Sequence, residues 1–317
     1  MDIVTSLHGA LNAPLVADAV AGLTRSPKTL PCKWLYDAEG ARLFEAITRL
    51  PEYYPTRTEM LILAKAAPEI AALCGAGTSV VEFGSGDGSK VSLLLSAMDA
   101  PAAYVPVDIA AEWLAGAAAR VAEEQPGLMV LPVVADFTRH FPLPAALPPG
   151  PRLGFFPGST IGNFTPDEAV GFLRRARDVL GAGAQMVLGA DLVKARTVLE
   201  AAYDDAAGVT AAFNLNLLDR LNREAGADFD LDGFRHDARW NPDAERVEMH
   251  LVSRYAQVAA LAGRRILFAE GESIHTENSH KYRPERLRAL AEAGGWEAVQ
   301  MWTDPAKLFS VWLLRAG

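Results

Sequence analysis

Residues 80–90 read VVEFGSGDGSK, an apolar run that passes directly into a turn with glycines at 84, 86 and 88. A second apolar run, YVPVD at 104–108, ends in an aspartate. This pattern predicts a strand, a glycine turn that opens a helix, and a second strand that delivers a carboxylate. Glycines let the backbone approach a ligand closely, and the first N–H groups of a helix beginning near Ser89 point at the same place. The stretch therefore predicts a pocket for a ligand that carries a ribose.

The spacing of these glycines favours one cofactor over another. It is GxGxG, whereas dinucleotide-binding loops read GxGxxG, in which the third glycine makes room for helix–strand packing around a pyrophosphate. Glu82 lies within the first strand, where a carboxylate can meet an ammonium group. We therefore expect S-adenosylmethionine, with Asp108 accepting hydrogen bonds from the ribose hydroxyls. The alternative is a turn that only joins a strand to a helix, and an aspartate at the end of the next strand weighs against it.

Length and composition restrict the class of protein. A chain of 317 residues exceeds a usual single core, so we expect one large domain with an insertion or two domains. Half of the residues are hydrophobic, which suffices for a sizeable core. The net charge of −9 argues against a nucleic-acid partner, because such recognition normally depends on a basic surface. A small-molecule substrate is therefore the favoured partner, and the oligomeric state stays open, with a monomer as one plausible state.

Cysteine and histidine usage indicates the compartment and the chemistry. Only Cys32 and Cys74 are present, too few for a disulfide framework and without the CxxC spacing of zinc or redox sites. The first residues lack a basic signal-peptide region, and no uncharged apolar run reaches about 18 residues. We therefore expect a cytoplasmic protein without a membrane partner. The six histidines never have the i, i+4 spacing of helical metal ligands, so no catalytic metal is expected.

From residue 78 onward, apolar strands alternate with helices, which is typical of a doubly wound parallel sheet. Thr165 followed by Pro166 predicts an N-cap and a first helical residue, and Gly181 predicts the end of the same helix. The predicted elements are strand 78–83, helix 89–99, strand 103–107, helix 110–123, strand 128–134, strand 153–156, helix 166–180 and strand 184–190.

The alternation stops after Asp191. A helical stretch near 194–224 is followed by an alternating run, RVEMHLVSRYAQV at 246–258, which a hairpin pairs with RRILFAEGE at 264–272. Residues 194–281 therefore look like an inserted α+β piece.

After this insertion the alternation resumes with helix 284–293, strand 296–302 and strand 308–314. The short connection between the two strands predicts an antiparallel pair at the edge of the sheet. The predicted fold class is α/β: a Rossmann-like core similar to class I methyltransferases, with a second, smaller α+β domain.

The segment LGFFPGSTIGNF at 153–164 has the pattern of a binding turn. It runs off a buried strand at the carboxyl edge of the sheet, where ligands bind in open α/β folds. Asn163 can present both a carbonyl and an amide there. The alternative is that Gly158 and Gly162 are present only because the turn requires a positive φ at these positions, and that Asn163 only caps the turn.

The segment IHTENSHKY at 274–282 is a second candidate. A period-2 pattern places Glu277 and Ser279 on one face of an extended piece, where two acceptors could hold an N–H-bearing ring. The pattern alone favours the alternative, an exposed strand face with ordinary polar residues.

These segments, together with KWLYDAEGARLFEAITRLPEYYPTRTE at 33–59 and YDDAAGVTAAFN at 203–214, closely resemble the L-histidine Nα-methyltransferases of ergothioneine biosynthesis. The resemblance covers roughly residues 30–315. It implies S-adenosylmethionine-dependent transfer of three methyl groups to the α-nitrogen of L-histidine, through its mono- and dimethyl forms, to give the trimethylammonium betaine hercynine.

The resemblance also implies roles for individual residues. The cofactor residues are Gly84 and Lys90 at the glycine loop, Asp108 at the ribose, and Asp136 with Phe137 at the adenine. The amino-acid end of histidine is held by Tyr53, Gly158, Asn163 and Tyr203. The imidazole end is held by Glu277 and Ser279, with Thr210 and Met249 lining the pocket. The predicted catalytic set beside the methyl-accepting nitrogen is Tyr36, Phe44 and Asn163.

The same resemblance predicts two domains. The cofactor-binding core is expected at 60–193 plus 282–317, and a substrate-binding domain that closes over the active site is expected at 15–59 plus 194–281. Tyr36 is a candidate proton acceptor, with water as the alternative. Three other functions remain open at this point: Nα-methylation of another amino acid such as tryptophan, an NAD-dependent oxidoreductase, and a cofactor-binding sensor without turnover.

Overall fold

The computed structural model describes residues 11–317. Its helices are α1 Ala13–Leu23, α2 Ala38–Thr48, α3 Tyr54–Cys74, α4 Ser89–Leu95, α5 Ala111–Glu124, α6 Pro166–Leu180, α7 Arg196–Tyr203, α8 Val209–Ala225 and α9 Pro284–Ala293.

The strands, in the same chain order, are β1 Lys28–Thr29, β2 Ser79–Phe83, β3 Ala103–Asp108, β4 Met129–Val130, β5 Val133–Val134, β6 Arg152–Phe156, β7 Gln185–Asp191, β8 Phe234–Asn241, β9 Arg246–Ser253, β10 Gln257–Leu261, β11 Arg264–Phe268, β12 Ser273–His280, β13 Trp296–Thr303 and β14 Phe309–Ala316.

The chain divides into two compact units. We name them the sheet unit, which comprises Tyr54–Ala195, Pro242–Arg246 and Ser279–Gly317, and the insert unit, which comprises the described residues up to Tyr53, Arg196–Asn241 and Val247–Asn278.

The sheet unit contains an eight-stranded sheet in the order β13-β14-β7-β6-β2-β3-β4, with β5 also pairing with β3. Strands β7, β6, β2, β3 and β4 are parallel, and β14 and β13 are antiparallel to their neighbours. Strand order reverses between β2 and β6, which is the topological switch point of a doubly wound sheet. The predicted parallel core with an antiparallel edge pair is confirmed.

The central strands of this sheet are apolar on both faces because helices cover both sides. All five residues of β2 are buried, and two separate apolar clusters pack around the sheet. Helix α6 begins with the predicted N-cap at Thr165, whose side chain forms a capping box with Glu168, and it ends at Gly181. The predicted boundaries of this helix are confirmed.

Three sequence-based boundaries are wrong, two of them for a local reason in the backbone. The single strand predicted at 128–134 is two short strands, β4 and β5, because Pro132 lies between them and has no N–H for the ladder. The helix predicted at 89–99 already ends at Leu95. The stretch near 194–224 is two helices, α7 and α8, separated by a turn at Gly208, whose φ is +75°.

The insert unit has a sheet of its own. Strands β1, β12, β9 and β8 form a four-stranded sheet, and β10 pairs with β11. The predicted hairpin is therefore corrected, because only Gln257 and Val258 of the run at 246–258 pair with β11. The alternating run at 246–258 is therefore divided between two sheets. Among the described residues, no helix is both long and apolar enough to cross a membrane.

Candidate functional site

Three predicted ligand residues lie at the carboxyl ends of neighbouring parallel strands. Gly84 follows β2, Asp108 ends β3 and Gly158 follows β6. Since β2 and β6 flank the switch point, these residues border the crevice in which open α/β sheets bind ligands. This common edge is what the sheet topology contributes to the site.

The glycine loop has a backbone that few other residues adopt. Gly84 and Gly88 have φ values of +77° and +81°, and Gly88 is the N-cap of α4. Between them, the hydroxyl of Ser85 is fully buried and has no hydrogen-bond partner among residues 11–317. A buried hydroxyl normally has a partner. The loop therefore fits a polar ligand group at this point, as the expected cofactor requires.

Two carboxyl groups border the glycine loop. Asp108 Oδ1 accepts a hydrogen bond from the backbone N–H of Ala110 at 2.9 Å, and burial raises the pKa of Asp108. Glu82 is buried and accepts a hydrogen bond from the Tyr104 hydroxyl, and burial raises the pKa of Glu82 to about 8. Within the chain, the partner of Glu82 is thus a phenol.

Asp136 and Phe137 follow β5. Asp136 Oδ1 accepts a hydrogen bond from the backbone N–H of Thr138 at 2.9 Å, which closes a local turn. The ring of Phe137 lies against the glycine loop, since a Cβ added to Gly84 would be 3.3 Å from Phe137 Cε1. An aromatic ring is therefore placed next to the loop, and its position at the adenine stays a prediction.

Lys90 and Gly158 are joined by a residue that the sequence reasoning did not single out. Glu59 of α3 has 1% of its surface exposed, and its Oε2 lies 2.6 Å from Lys90 Nζ. Its carboxylate also accepts from the backbone N–H of Gly158, at 2.9 and 3.0 Å. One buried carboxylate therefore fixes a predicted cofactor residue and a predicted substrate residue.

The turn after β6 carries Asn163 and passes close to the chain at His280. Gly158 has a φ of +79° as expected, but Gly162 has no positive φ, which corrects that alternative interpretation. Gly162 is needed for space instead, because a Cβ there would lie 2.7 Å from the His280 carbonyl oxygen. Asn163 itself is half-buried at the end of this turn.

Ser279 belongs to a buried charged network in the sheet unit. Lys281 Nζ lies 2.8 Å from Ser279 Oγ and 2.8 Å from Asp191 Oδ2, and Lys194 Nζ lies 2.6 Å from Asp191 Oδ1. Burial alone would raise the pKa of Asp191, but the two lysines hold it below its ordinary value. An ammonium can only donate, so Ser279 accepts from Lys281.

In the insert unit, two predicted catalytic residues and two predicted substrate residues form an aromatic cluster. Ring centroids are 5.6 Å apart for Tyr36 and Phe44, 6.1 Å for Phe44 and Tyr53, and 6.2 Å for Tyr53 and Tyr203, all edge-to-face. Phe213 contacts Tyr36 and Phe44 at 5.4 and 6.0 Å and was missed in the sequence. We call these five residues the aromatic cluster.

Glu277 lies close to this cluster. It is 8% exposed. Burial and the charge of Glu277 raise the pKa of Tyr36 well above its ordinary value. Tyr36 is therefore a neutral phenol at physiological pH, which argues against it as the base.

Thr210 and Met249 are both buried in the insert unit. The backbone N–H of Thr210 donates to Asp205 Oδ1 at 2.8 Å at the start of α8, and the carbonyl of Met249 accepts from Thr276 Oγ1 at 3.0 Å. These bonds fix the two residues on a helix start and on β9.

The missed residues had different sequence signals. Glu59 lies on the buried face of α3, four residues after Pro55 and four before Leu63. The sequence therefore contains a charged residue within an apolar helical stripe, which is a signal for a functional or paired carboxylate. Phe213 and Ser85 had no such signal, because a phenylalanine in a helix and a serine in a glycine turn are common.

The comparisons with known proteins agree with this geometry. The chain matches the model of the family described as histidine-specific methyltransferase, SAM-dependent, over residues 15–316. It is 50% identical to the histidine N-alpha-methyltransferase of Mycolicibacterium smegmatis, over 96% of this chain and 98% of that protein. Identity to the histidine N-alpha-methyltransferase of Mycobacterium tuberculosis is 43%, over 93% and 92%.

A third relative is longer. Ergothioneine biosynthesis protein 1 of Neurospora crassa is 31% identical over 87% of this chain but only 32% of that protein. The match to the family model and these identities lead to one conclusion. The chain belongs to the family of S-adenosylmethionine-dependent, histidine-specific methyltransferases, with the class I methyltransferase fold.

Proposed function

We propose that the protein transfers three methyl groups from S-adenosylmethionine to the α-nitrogen of L-histidine, a step that yields hercynine for ergothioneine biosynthesis. Relatives that carry the histidine methyltransferase name support the substrate. The observation that carries the proposal is the buried carboxylate of Glu277 beside the aromatic cluster. A carboxylate suits an imidazole N–H, and aromatic faces suit a trimethylammonium group.

S-adenosylmethionine supplies an electrophilic methyl group on its sulfonium. The chain needs no covalent nucleophile, and its contribution is mainly to align the amine with that methyl group. Glu59 serves this alignment by fixing Lys90 and the Gly158 backbone. The α-ammonium must lose a proton before each transfer. We propose that water accepts this proton, because Tyr36 stays protonated.

Glu277 is proposed to select histidine. A charge-assisted hydrogen bond contributes about 1.5–3 kcal/mol, so Glu277→Ala should weaken histidine binding about tenfold to hundredfold. Calorimetry with histidine in the presence of S-adenosylhomocysteine measures this loss, and S-adenosylhomocysteine alone should bind as before. Exposed Glu270→Ala is the matched control. Full histidine affinity in the Glu277 variant would refute the assignment.

Phe44 is proposed to hold the methylated nitrogen. It contacts three other aromatic residues of the cluster and is half-buried. Cation–π contacts contribute about 0.5–2 kcal/mol, so Phe44→Ala should release partly methylated product. Mass spectrometry should then detect mono- and dimethylhistidine under conditions in which the wild type gives the trimethylated product. An unchanged product distribution would contradict this role.

The decisive experiment for the function is mass measurement after incubation with S-adenosylmethionine and each of the twenty amino acids. The proposal expects addition of three methyl groups to histidine. Methylation of tryptophan instead would support the runner-up, and no methylation at all would support a sensor. Stabilisation by NAD but not by S-adenosylhomocysteine in a thermal shift would indicate the oxidoreductase, because only a true ligand raises the melting temperature by mass action.

The proposal includes a cytoplasmic protein without nucleic-acid or membrane partners, and it leaves the oligomeric state open, with a monomer as one plausible state. The acidic net charge of −9 supports the absence of a nucleic-acid partner, and the two free cysteines support the cytoplasm. Light scattering coupled to size exclusion tests the monomer, which has a mass of 34.0 kDa. The predicted domains at 60–193 plus 282–317 and at 15–59 plus 194–281 also remain part of the proposal, and limited proteolysis tests them.

A further inference from the structure

Three potential metal ligands come together on two neighbouring strands of the insert unit. Glu248 and His250 lie on β9, and His275 lies on β12. Each offers one ligand atom, and these atoms all lie within 4.8 Å of one another. The i, i+2 spacing on β9 places Glu248 and His250 on the same face of the strand. We call these three residues the Glu-His-His cluster.

The two residues on β9 are already held in place by polar neighbours. Asn241 Nδ2 donates to Glu248 Oε1 at 3.0 Å, so the carboxylate is oriented. His250 Nε2 lies 3.1 Å from Glu248 Oε2, and His250 Nδ1 lies 3.3 Å from Ser273 Oγ. Groups that hydrogen-bond the far side of a ligand residue are the usual surroundings of a protein metal site.

His275 is likewise held by a polar neighbour. Its Nε2 lies 3.0 Å from the backbone carbonyl oxygen of Glu277, to which only an N–H can donate. That bond fixes the tautomer in which Nδ1 carries the lone pair, and this is the arrangement in which metal-binding histidines present their ligand atom.

The two imidazole rings of the cluster lie side by side. The rings of His250 and His275 are stacked with centroids 4.8 Å apart and planes at 18°. Binding one ion requires the His250 ring to rotate about its Cβ–Cγ bond, so that both nitrogens aim at the same point, while His275 keeps its hydrogen bond to the Glu277 carbonyl.

We propose that Glu248, His250 and His275 bind one Zn²⁺ ion, with water in the fourth position. Two imidazoles and one carboxylate are a donor set that zinc accepts in tetrahedral geometry, with ligand distances of about 2.0–2.2 Å. The ligand atoms of such a site are about 3.4 Å apart. The 3.1 Å between His250 Nε2 and Glu248 Oε2 is already close to that value.

The ion is structural rather than catalytic. Side chains alternate along β9, so Met249 points to the opposite face from its two neighbours. The ion would tie β9 to β12 next to Met249 and Glu277. The zinc site does not depend on the proposed function, because its test is metal binding itself.

The test is calorimetric titration of the chelator-treated, tag-free full chain with ZnCl₂ alone. One ion should bind per chain with micromolar or tighter affinity and raise the melting temperature. Glu248→Gln and His250→Gln should each weaken zinc binding at least about tenfold, and Asn241→Ala should weaken it about tenfold to hundredfold. Exposed His140→Gln is the matched control and should bind as the wild type does.

Two further measurements keep the outcome unambiguous. Circular dichroism of each metal-free variant shows whether it is folded. If the His250→Gln variant does not fold, Glu248→Gln still provides the test, because glutamine preserves the shape of the glutamate side chain. Visible absorption of added Co²⁺ should indicate tetrahedral nitrogen and oxygen ligands. Absence of tight zinc binding, equal binding by the wild type and the folded Glu248→Gln variant, or thiolate-to-cobalt bands from Cys32 would each overturn the proposal.

Discussion

At the residue scale, the most consequential side chain is the buried carboxylate of Glu59 on α3. Glu59 is buried and accepts from both Lys90 and the Gly158 backbone, and a Cβ on Gly189 would lie 2.1 Å from its Oε1. A buried charge is tolerated only when it is paired and hydrogen-bonded. Glu59 is therefore a positioning residue for the carboxyl edge of the sheet.

We predict that Glu59→Gln weakens the binding of S-adenosylhomocysteine about tenfold. The amide keeps the shape and can still accept from Gly158, but the charge that holds Lys90 is lost, at a cost of about 1.5 kcal/mol or more. Calorimetry of the cofactor product measures the change. Exposed Glu123→Gln, on α5, is the control. Equal affinity in both variants would show that Lys90 does not need Glu59.

At the element scale, the turn between β6 and α6 depends on a close approach of two backbones. Gly162 packs against β12, where a Cβ would lie 2.7 Å from the carbonyl oxygen and 3.1 Å from the nitrogen of His280. Backbone atoms cannot move aside as a flexible side chain does. This contact fixes the turn that presents Asn163, and helix α6 fixes its other end through the Thr165 capping box.

We predict that Gly162→Ala destabilises the protein by about 1–3 kcal/mol and lowers histidine turnover, because the added methyl group forces the turn away from β12. Urea unfolding and the methylation assay measure the two effects.

The matched control is Gly116→Ala in the exposed middle of α5, where a Cβ has nothing within 4 Å. That substitution should instead stabilise by about 0.5–1 kcal/mol, because alanine loses less backbone entropy in a helix. A neutral Gly162 variant would contradict the tight packing of the turn.

At the scale of the whole molecule, buried titratable groups make stability depend on pH. His280 is 4% exposed. Burial lowers the pKa of His280 to about 4, and the nearby charges of Arg246, Arg286 and Lys281 act in the same direction. A hydrogen bond to the Ala244 carbonyl has a weaker, opposite effect on this pKa. Between pH 4 and the ordinary value of 6.5, the unfolded chain therefore binds a proton that the folded chain does not.

We predict that stability falls as the pH is lowered from about 6.5 toward 4, and that His280→Asn loses less over this range than the wild type. Asparagine keeps a donor for the Ala244 carbonyl but does not titrate. Free energies of unfolding in urea at pH 7 and pH 5 measure the difference. Exposed His140→Asn should follow the wild type. Parallel losses in the wild type and the His280 variant would exclude His280 as the cause.

Much of the fold could be predicted because its signals are local. The glycine loop, the boundaries of α6 and the alternation of strands and helices are each written in a few adjacent residues. Where the prediction was wrong, a residue with a backbone effect had been overlooked, as with Pro132 between β4 and β5 and Gly208 before α8. The run at 246–258 is divided between two sheets because one of its strands, β9, pairs with β12, which is distant in the chain. Adjacent residues do not encode such pairing.

The sequence by itself determined the parallel core, the cofactor class and the family motifs, because these follow from periodicity, glycine spacing and residue identity. Only the tertiary structure decided that Glu59 joins Lys90 to Gly158, that Phe213 completes the aromatic cluster and that Tyr36 stays protonated. The Glu-His-His cluster likewise exists only once β9 and β12 are neighbours. The physical reason is that pairing, burial and pKa depend on groups distant in the chain, whose approach no local pattern records.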